Sequence, residues 1–156
     1  MSPDPAVLAA RTGHEPPLWG PRVRHYLRDL VYGANDGIIT TFAVVSGVAG
    51  AALAPRTVLI LGAANLLADG FSMGASSFLS IRSDEAVRVM NGDAVAEPFP
   101  FRHGAATMAA FVAAGLVPLL PYLFAPPPVR FRVAVLATLA TLFVVGAARS
   151  LVTSLS

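Results

Sequence analysis

Long stretches without a charged side chain dominate the pattern of hydrophobic and polar positions along this chain. In a bilayer, roughly 20 predominantly apolar residues in helical form cross the hydrocarbon core. The pattern therefore predicts an all-α, polytopic transmembrane bundle within residues 21–156. About four spans are expected, at residues 34–54, 57–80, 103–124 and 130–149. A turn of only a few residues separates the first two spans, so these are expected to form a tight antiparallel hairpin.

Proline, glycine and charge mark the segments before and between the spans. Residues 1–20 contain four prolines and are predicted to be a disordered tail. Residues 21–32 carry arginines beside leucine and valine, which predicts a short amphipathic helix at the membrane surface. Residues 81–102 are predicted to be a polar cytoplasmic loop. Pro118 and Pro121 are expected to kink the end of the third span.

Composition supports a membrane protein over a soluble one. Hydrophobic residues make up 55% of the chain and charged residues only 13%, whereas soluble domains carry about 25% charged residues. The alternative, a soluble bundle of buried helices, would leave a chain of 156 residues without a polar surface. The chain has no cysteine, which excludes disulfide, thiol and cysteine-ligated metal chemistry.

All eleven basic residues are arginines, and they flank the apolar segments. This placement favours the positive-inside rule over binding of nucleic acid, which we do not expect. With a cytoplasmic N-terminus, eight arginines lie inside and three, Arg56, Arg130 and Arg132, lie outside. We therefore expect a cytoplasmic N-terminus in a multi-pass protein of a cell membrane, the inner membrane of a bacterium.

Polar side chains recur at helical spacing within the first two spans. In the second span, five polar or sulfur-containing residues fall on one helical face over three turns: Asn65, Asp69, Ser72, Met73 and Ser76. In the first span, Asp36 and Thr40 share a face. Two Gly-x-x-x-Gly steps, Gly33/Gly37 and Gly70/Gly74, allow close backbone approach. The hairpin is therefore expected to bring Asp36 near the polar face of the second span.

A carboxylate inside a bilayer costs roughly 2.5–3.5 kcal/mol even on insertion-derived scales. Asp36 and Asp69 have no arginine or lysine within the spans to pair with, so they are expected to bind a cation, to be protonated, or to alternate between the two states. Alternation is the chemistry of a cation/proton exchanger. The thioether of Met73 adds a soft ligand to hard oxygen ligands, which suits Fe²⁺ or Mn²⁺ better than Mg²⁺ or Ca²⁺.

Each of these residues also has a plainer interpretation. Asp36 could simply lie at the membrane interface, or it could cap a helix together with Asn35. Met73 could serve only in packing, and the serines of the second span could bond their own backbone.

A peripheral metal site is a further alternative, formed by residues of the connection at 81–102 and the histidine that follows it: Asp84, Glu85, Asp93, Glu97 and His103. A solvated, charged loop is the favoured interpretation there. No catalytic triad or phosphate-cradling loop is present in the sequence. We therefore expect a protein that is not an enzyme and holds no bound cofactor.

At the two polar stretches the sequence resembles the vacuolar iron transporter family. The resemblance rests on Asn-Asp-Gly-Ile-Ile-Thr-Thr at 35–41, on a small-residue-rich helix ending at 47–50, and on the run at 65–77. It covers roughly residues 25–150. It implies a homodimer that exports Fe²⁺, sometimes Mn²⁺, from the cytosol in exchange for protons, along a path between the two subunits.

The same resemblance assigns residues. The family's acidic residue of the first helix falls on Asp36, its methionine of the second helix on Met73, and its acidic residue of the second helix on Asn65. Asn65 thus replaces a carboxylate, with Asp69 one turn later on the same face. We expect Asp36, Asp69, Met73 and Asn65 to bind the metal, and Thr40, Ser72 and Ser76 to line the path.

Two further departures concern whole segments. Family members carry a long, glutamate-rich cytoplasmic domain between helices two and three, and here that connection is only about 20 residues. The family has five transmembrane helices, and this chain is expected to stop before the fifth. The alternatives to a metal/proton antiporter are a truncated, non-transporting membrane protein of the same fold and a leak pathway for protons or small cations.

Overall fold

Helices form every regular element in the part of the chain that the computed structural model describes, residues 21–154, with side chains for 25–151. No strand occurs within these residues, which confirms the all-α prediction. The elements are α1 (Pro21–Gly50), α2 (Pro55–Met90), α3 (Pro100–Gly115), a 3₁₀ turn (Val117–Leu119), the short α4 (Leu120–Phe124), a 3₁₀ turn (Pro127–Val129) and α5 (Arg130–Ser154). The predicted disordered tail at 1–20 lies outside the described residues.

Among the described residues, three segments are long and apolar enough to cross a membrane: Pro55–Met90, Pro100–Phe124 and Pro127–Leu151. They correspond to the second, third and fourth predicted spans. The first predicted span lies in α1, which is long enough but less apolar, because its inner part includes Asn35, Asp36 and several glycines. α1 packs against α3 and α5 in the same bundle. The cytoplasmic side of the N-terminus stays a prediction.

The predicted separate helix at 21–32 is instead the first part of α1, which continues without a break to Gly50. No proline follows Pro21 within α1, so nothing in the sequence interrupts the helix there. Gly33 remains helical because it packs directly against α3. A Cβ atom at Gly33 would lie 2.4 Å from the carbonyl oxygen of Thr107. A glycine in the middle of an exposed helix destabilises that helix. At Gly33 the close packing against α3 compensates for this effect.

The predicted loop at 81–102 is also shorter than expected, because α2 continues to Met90 and α3 begins at Pro100. Charged side chains at 82–88 do not end a helix, since they can face solvent. The helix ends where Gly92 adopts a φ of +83°, a conformation that glycine tolerates at helix ends. The true connection, 91–99, is called the linker below.

Prolines shape the other helix ends as predicted. The third span changes from α-helix to a 3₁₀ turn at Val117–Leu119 and resumes as α4. Pro118 and Pro121 cause this change, because proline cannot donate the backbone hydrogen bond of a regular helix. A 3₁₀ turn at Pro127–Val129 then leads into α5.

α3 packs closely against both α1 and α2, which the sequence pattern did not predict. Both Gly-x-x-x-Gly steps face α3 rather than each other. A Cβ at Gly37 would lie 2.2 Å from the carbonyl oxygen of Phe111, and a Cβ at Gly74 would lie 2.9 Å from that of Gly104. Phe111 is fully buried within a cluster of apolar side chains. The cluster consists of Val45, Val48, Val58, Leu66, Phe111, Leu119, Tyr122 and Ala134.

Candidate functional site

Asp36 and Asp69 lie at the same level of the bundle. α1 ends at Gly50 and α2 begins at Pro55, so both residues are about four helical turns, or about 21 Å, from the connection between the helices. Their carboxyl groups are close enough to interact electrostatically. Asp36 is in the middle of α1, more than three turns from its first residue, which rules out the alternative that it caps the helix.

Both carboxyl groups are half-buried, and neither forms an ion pair or hydrogen bond with a residue of the described part of the chain. Arg28 and Arg56 lie toward opposite ends of the bundle, two turns or more along the helices. Partial burial without a counterion makes two neighbouring negative charges unfavourable. The arrangement therefore favours binding of protons or of a cation between α1 and α2.

Two cavities lie along α2, one on each side of this level, and Asp36 lines neither of them. One, of about 630 Å³, lies toward the α1–α2 connection and is lined by Val44, Gly47, Val48, Leu53, Leu61, Ala64, Asn65, Ala68 and Asp69. The other, of about 600 Å³, lies toward the linker and is lined by Arg28, Asp29, Tyr32, Ser72, Met73, Ser76, Ser77, Ser80, Ile81 and Thr107. Asp69 borders the first cavity and Met73, one turn later, borders the second. The polar face of α2 thus contributes residues to the lining of both cavities.

Asn65 and Met73 flank Asp69 on α2. The side-chain nitrogen of Asn65 is buried without a hydrogen-bond partner, an arrangement that costs about 1–3 kcal/mol when nothing compensates it. Met73 packs against the apolar cluster and also lines the second cavity. Met73 therefore serves in packing, as the plainer interpretation expects, and it also borders the second cavity.

The hydroxyl residues divide into two groups. The hydroxyl of Thr40 donates a hydrogen bond to the backbone carbonyl of Asp36 at 2.8 Å. Thr40 thus bonds the backbone of its own helix, which was one of the alternatives for the serines of the second span. Ser72 and Ser76 are exposed on the described chain and line the second cavity. An exposed hydroxyl on a membrane-length helix bonds the backbone of its own helix, water or a protein partner.

A second cluster lies near the linker and joins residues far apart in sequence. Nε2 of His25 and Nε2 of His103 are 3.2 Å apart, and Oε2 of Glu97 lies 2.8 Å from the first and 3.1 Å from the second. Nδ1 of His103 lies 2.5 Å from the carboxylate of Asp29. Asp29 and His103 are only 6% and 7% exposed.

Sequence reasoning placed Glu97 and His103 in one candidate group but favoured a solvated loop, and it missed His25 and Asp29 altogether. Of the other members, Asp84 and Asp93 are exposed. Glu85 accepts hydrogen bonds from the backbone N–H groups of Ala96 at 3.0 Å and Glu97 at 2.9 Å. It thereby holds the linker beside α2.

The environment of Glu97 changes its acidity. Burial raises the pKa of the carboxyl group, but the hydrogen bonds from His103 and from the backbone of Phe99, together with the nearby histidine charges, outweigh this effect. The net pKa of Glu97 is below its usual value, so the side chain is a carboxylate at neutral pH.

Comparisons with known proteins match the chain to one family. A sequence profile of the VIT family matches residues 27–93 and 87–156. The chain is 46% identical over 57 residues to a vacuolar iron transporter of Plasmodium berghei, covering 36% of this chain and 21% of that protein. It is 32% identical over 126 residues to vacuolar iron transporter homolog 5 of Oryza sativa subsp. japonica, covering 75% and 60%. Vacuolar iron transporter homolog 2 of Arabidopsis thaliana is 33% identical over 106 residues, covering 64% and 54%.

The alignments therefore span between about a fifth and about three fifths of these relatives' lengths. No solved structure matches the chain significantly.

Proposed function

The chain belongs to the VIT family, and on that premise we propose that it exchanges a divalent first-row metal ion, Fe²⁺ or Mn²⁺, for protons across a cell membrane. The relatives are named vacuolar iron transporters and homologues of them. The proposed direction is export from the cytosol, with the N-terminus on the cytosolic side. In a bacterium the membrane would be the inner membrane.

The observation that carries the proposal is the pair Asp36 and Asp69, two half-buried carboxyl groups at one level of the bundle without an ion-pair partner among the described residues, of which Asp69 borders a cavity. Inside a bilayer, such groups are stable when protonated or when they hold a cation. A divalent ion and two protons neutralise the pair equally well. When a divalent ion replaces two protons, or two protons replace the ion, the site therefore stays neutral and no isolated charge is left in the membrane.

The surrounding side chains provide a suitable ligand set. Asp36 and Asp69 supply hard oxygen ligands, Met73 a soft sulfur, and the amide of Asn65 a further polar group. Mixed oxygen and sulfur ligands favour first-row transition metals over Mg²⁺ and Ca²⁺. Ser72 and Ser76 line the cavity on the linker side of this level, and Thr40 continues the polar face of α1. These three residues would line the path of the ion.

A homodimer completes the proposal. Ser72 and Ser76 are exposed on one chain, although they lie on a helix apolar enough to cross a membrane. Packing of α2 against a second copy would cover these hydroxyls with protein instead of lipid. The ion path would then lie between two copies of the polar face, and access would alternate between the two cavities.

Flux through the full chain in liposomes tests the proposal. Uptake of Fe²⁺, kept reduced and detected by a trapped fluorescent chelator, should fall at least about tenfold in Asp69→Asn and in Asp36→Asn, since each variant removes a negative ligand. Asp84→Asn is the matched control, because Asp84 is exposed and outside both cavities. Unchanged flux in both site variants, or no flux from folded protein, would contradict the assignment.

A further inference from the structure

Three separate segments meet at the cluster near the linker. His25 comes from α1, Glu97 from the linker and His103 from the first turn of α3. The three atoms that face one another, Nε2 of His25, Nε2 of His103 and Oε2 of Glu97, form a triangle with edges of 3.2, 3.1 and 2.8 Å. Residues that are 78 positions apart in sequence, His25 and His103, are thus brought into direct contact.

The dimensions of this triangle fit the ligands of a small divalent ion. Metal–nitrogen and metal–oxygen bonds of about 2.0–2.2 Å in tetrahedral geometry place neighbouring ligand atoms about 3.3–3.6 Å apart. Two observed edges, 3.1 and 3.2 Å, are about 0.1–0.5 Å shorter than that spacing, and the third, 2.8 Å, is about 0.5–0.8 Å shorter, so the ligand atoms would move apart slightly on binding an ion. Two imidazoles and one carboxylate are also a recurrent ligand set of zinc and non-haem iron sites.

Asp29 supplies an independent argument. Its buried carboxylate accepts a hydrogen bond from Nδ1 of His103, so that Nε2, which faces Glu97 and His25, is the ring nitrogen available to an ion. Metal-ligating histidines are commonly oriented by a carboxylate on the other ring nitrogen in this way. Burial of Asp29 at 6% exposure makes this a built feature of the interior, not a surface contact.

The surroundings hold the ligands in place and leave one side open. Glu85 fixes the backbone of the linker at Glu97 through two hydrogen bonds, and the ring of Tyr26 packs 4.7 Å from that of His103. The His25 side chain is 48% exposed, whereas those of Glu97 and His103 are 15% and 9% exposed. An ion can therefore enter from the side of His25, and a water can complete its coordination.

Charge balance agrees with this geometry. Asp29 and Glu97 together contribute two negative charges, and two neutral imidazoles contribute none. One divalent cation would neutralise the cluster, as would two protons on the imidazoles. The competing arrangement is thus a metal-free cluster in which both protonated histidines donate to Glu97.

We propose that His25, Glu97 and His103 bind one divalent first-row transition metal ion, with Asp29 orienting His103. The site is distinct from the proposed transport site, because His25 precedes Asp36 by about 16 Å along α1. A bound ion fastens the start of α1 and the linker to the start of α3. The proposal does not depend on transport.

Binding of Co²⁺ and Zn²⁺ to the purified, tag-free full chain tests it. The measurement uses the double variant Asp36→Asn/Asp69→Asn, which lacks the carboxyl groups of the proposed transport site, so failure here is separable from failure of the transport proposal. We expect one Co²⁺ per chain, with a visible ligand-field spectrum of low coordination number. In the same background, His25→Gln and His103→Gln should each weaken binding at least about 100-fold, and Asp29→Asn about 10–100-fold.

Asp93→Asn, an exposed acid of the same linker, is the matched control and should bind as the parent does. His103 is buried and its substitution could disturb folding, so His25→Gln, on the exposed side, decides the case. Absence of bound Co²⁺ and Zn²⁺ in the double variant at neutral pH would overturn the proposal in favour of the metal-free cluster. Unchanged affinity in His25→Gln would overturn it as well.

Discussion

Gly37 lies directly against the backbone of Phe111, so that a Cβ at position 37 would lie 2.2 Å from the Phe111 carbonyl oxygen. This contact sets the distance between α1 and α3 one residue after Asp36. The oxygen belongs to a buried helix backbone and cannot move aside as the end of a flexible side chain can. The position of Asp36 in the bundle therefore depends on the absence of a side chain at its neighbour.

Gly37→Ala is expected to destabilise the protein by about 1–3 kcal/mol, because the added methyl group must push two helix backbones apart. Thermal unfolding in detergent, followed by helical circular dichroism, measures the effect. Gly47→Ala on the same helix is the control, since a Cβ there meets nothing within 4 Å. It should leave stability unchanged or raise it by up to about 1 kcal/mol. Equal behaviour of the two variants would show that the α1–α3 contact is looser than described.

Glu85→Gln should loosen the linker. The carboxylate accepts two backbone N–H groups, those of Ala96 and Glu97, whereas an amide offers one oxygen and turns an N–H donor toward the other. Loss of one charge-assisted bond of about 1.5–3 kcal/mol should speed amide hydrogen exchange at these positions at least about tenfold.

Asp84→Asn serves as the comparison for that experiment, because Asp84 is an exposed neighbour on α2. Its exchange rates at 96 and 97 should match those of the parent protein. Protection that survives in Glu85→Gln would mean that the linker is held by other contacts.

The proposed dimer predicts a specific cross-link. The chain contains no cysteine, so a single introduced cysteine reports only its own surroundings. Ser76→Cys lies on the exposed polar face of α2 and should form a covalent dimer on mild oxidation in membranes. Phe143→Cys on α5, where the side chain is 76% exposed, should remain monomeric because that apolar face suits lipid. The opposite pattern would place the interface on α5.

The helical architecture was predictable from sequence because uncharged runs long enough to cross a bilayer have few alternative structures. The sequence also predicted that Asp36 and Asp69 lie at the same level, because a short connection fixes the register of an antiparallel helix pair. Helix ends were less predictable. The charges at 82–88 suggested a loop, yet charged side chains are compatible with an exposed helix, and α2 continues to Met90.

Two features could not be obtained from the sequence pattern, and both are tertiary. A Gly-x-x-x-Gly step indicates that another backbone comes close but not which one, and here both steps face α3. Likewise, the sequence grouped Glu97 and His103 as candidate metal ligands. His25 and Asp29 join them only in the folded structure. The partner of His103 at Nδ1 lies 74 residues away in the chain, a separation at which local periodicity carries no information.

Metal/proton exchange is the central claim, and simultaneous recording of both ions in liposomes tests it most directly. The full chain is reconstituted with a pH-sensitive dye and a metal-sensitive dye in the lumen, and Fe²⁺ or Mn²⁺ is added outside against an acidic lumen. We predict that metal entry and a rise in lumenal pH occur together, and that Asp69→Asn abolishes both while Asp84→Asn abolishes neither.

A pH change without metal entry would indicate a proton leak. No movement of either ion would indicate a non-transporting protein, and metal entry without a pH change would indicate uncoupled transport. Each of these three results would contradict the exchange.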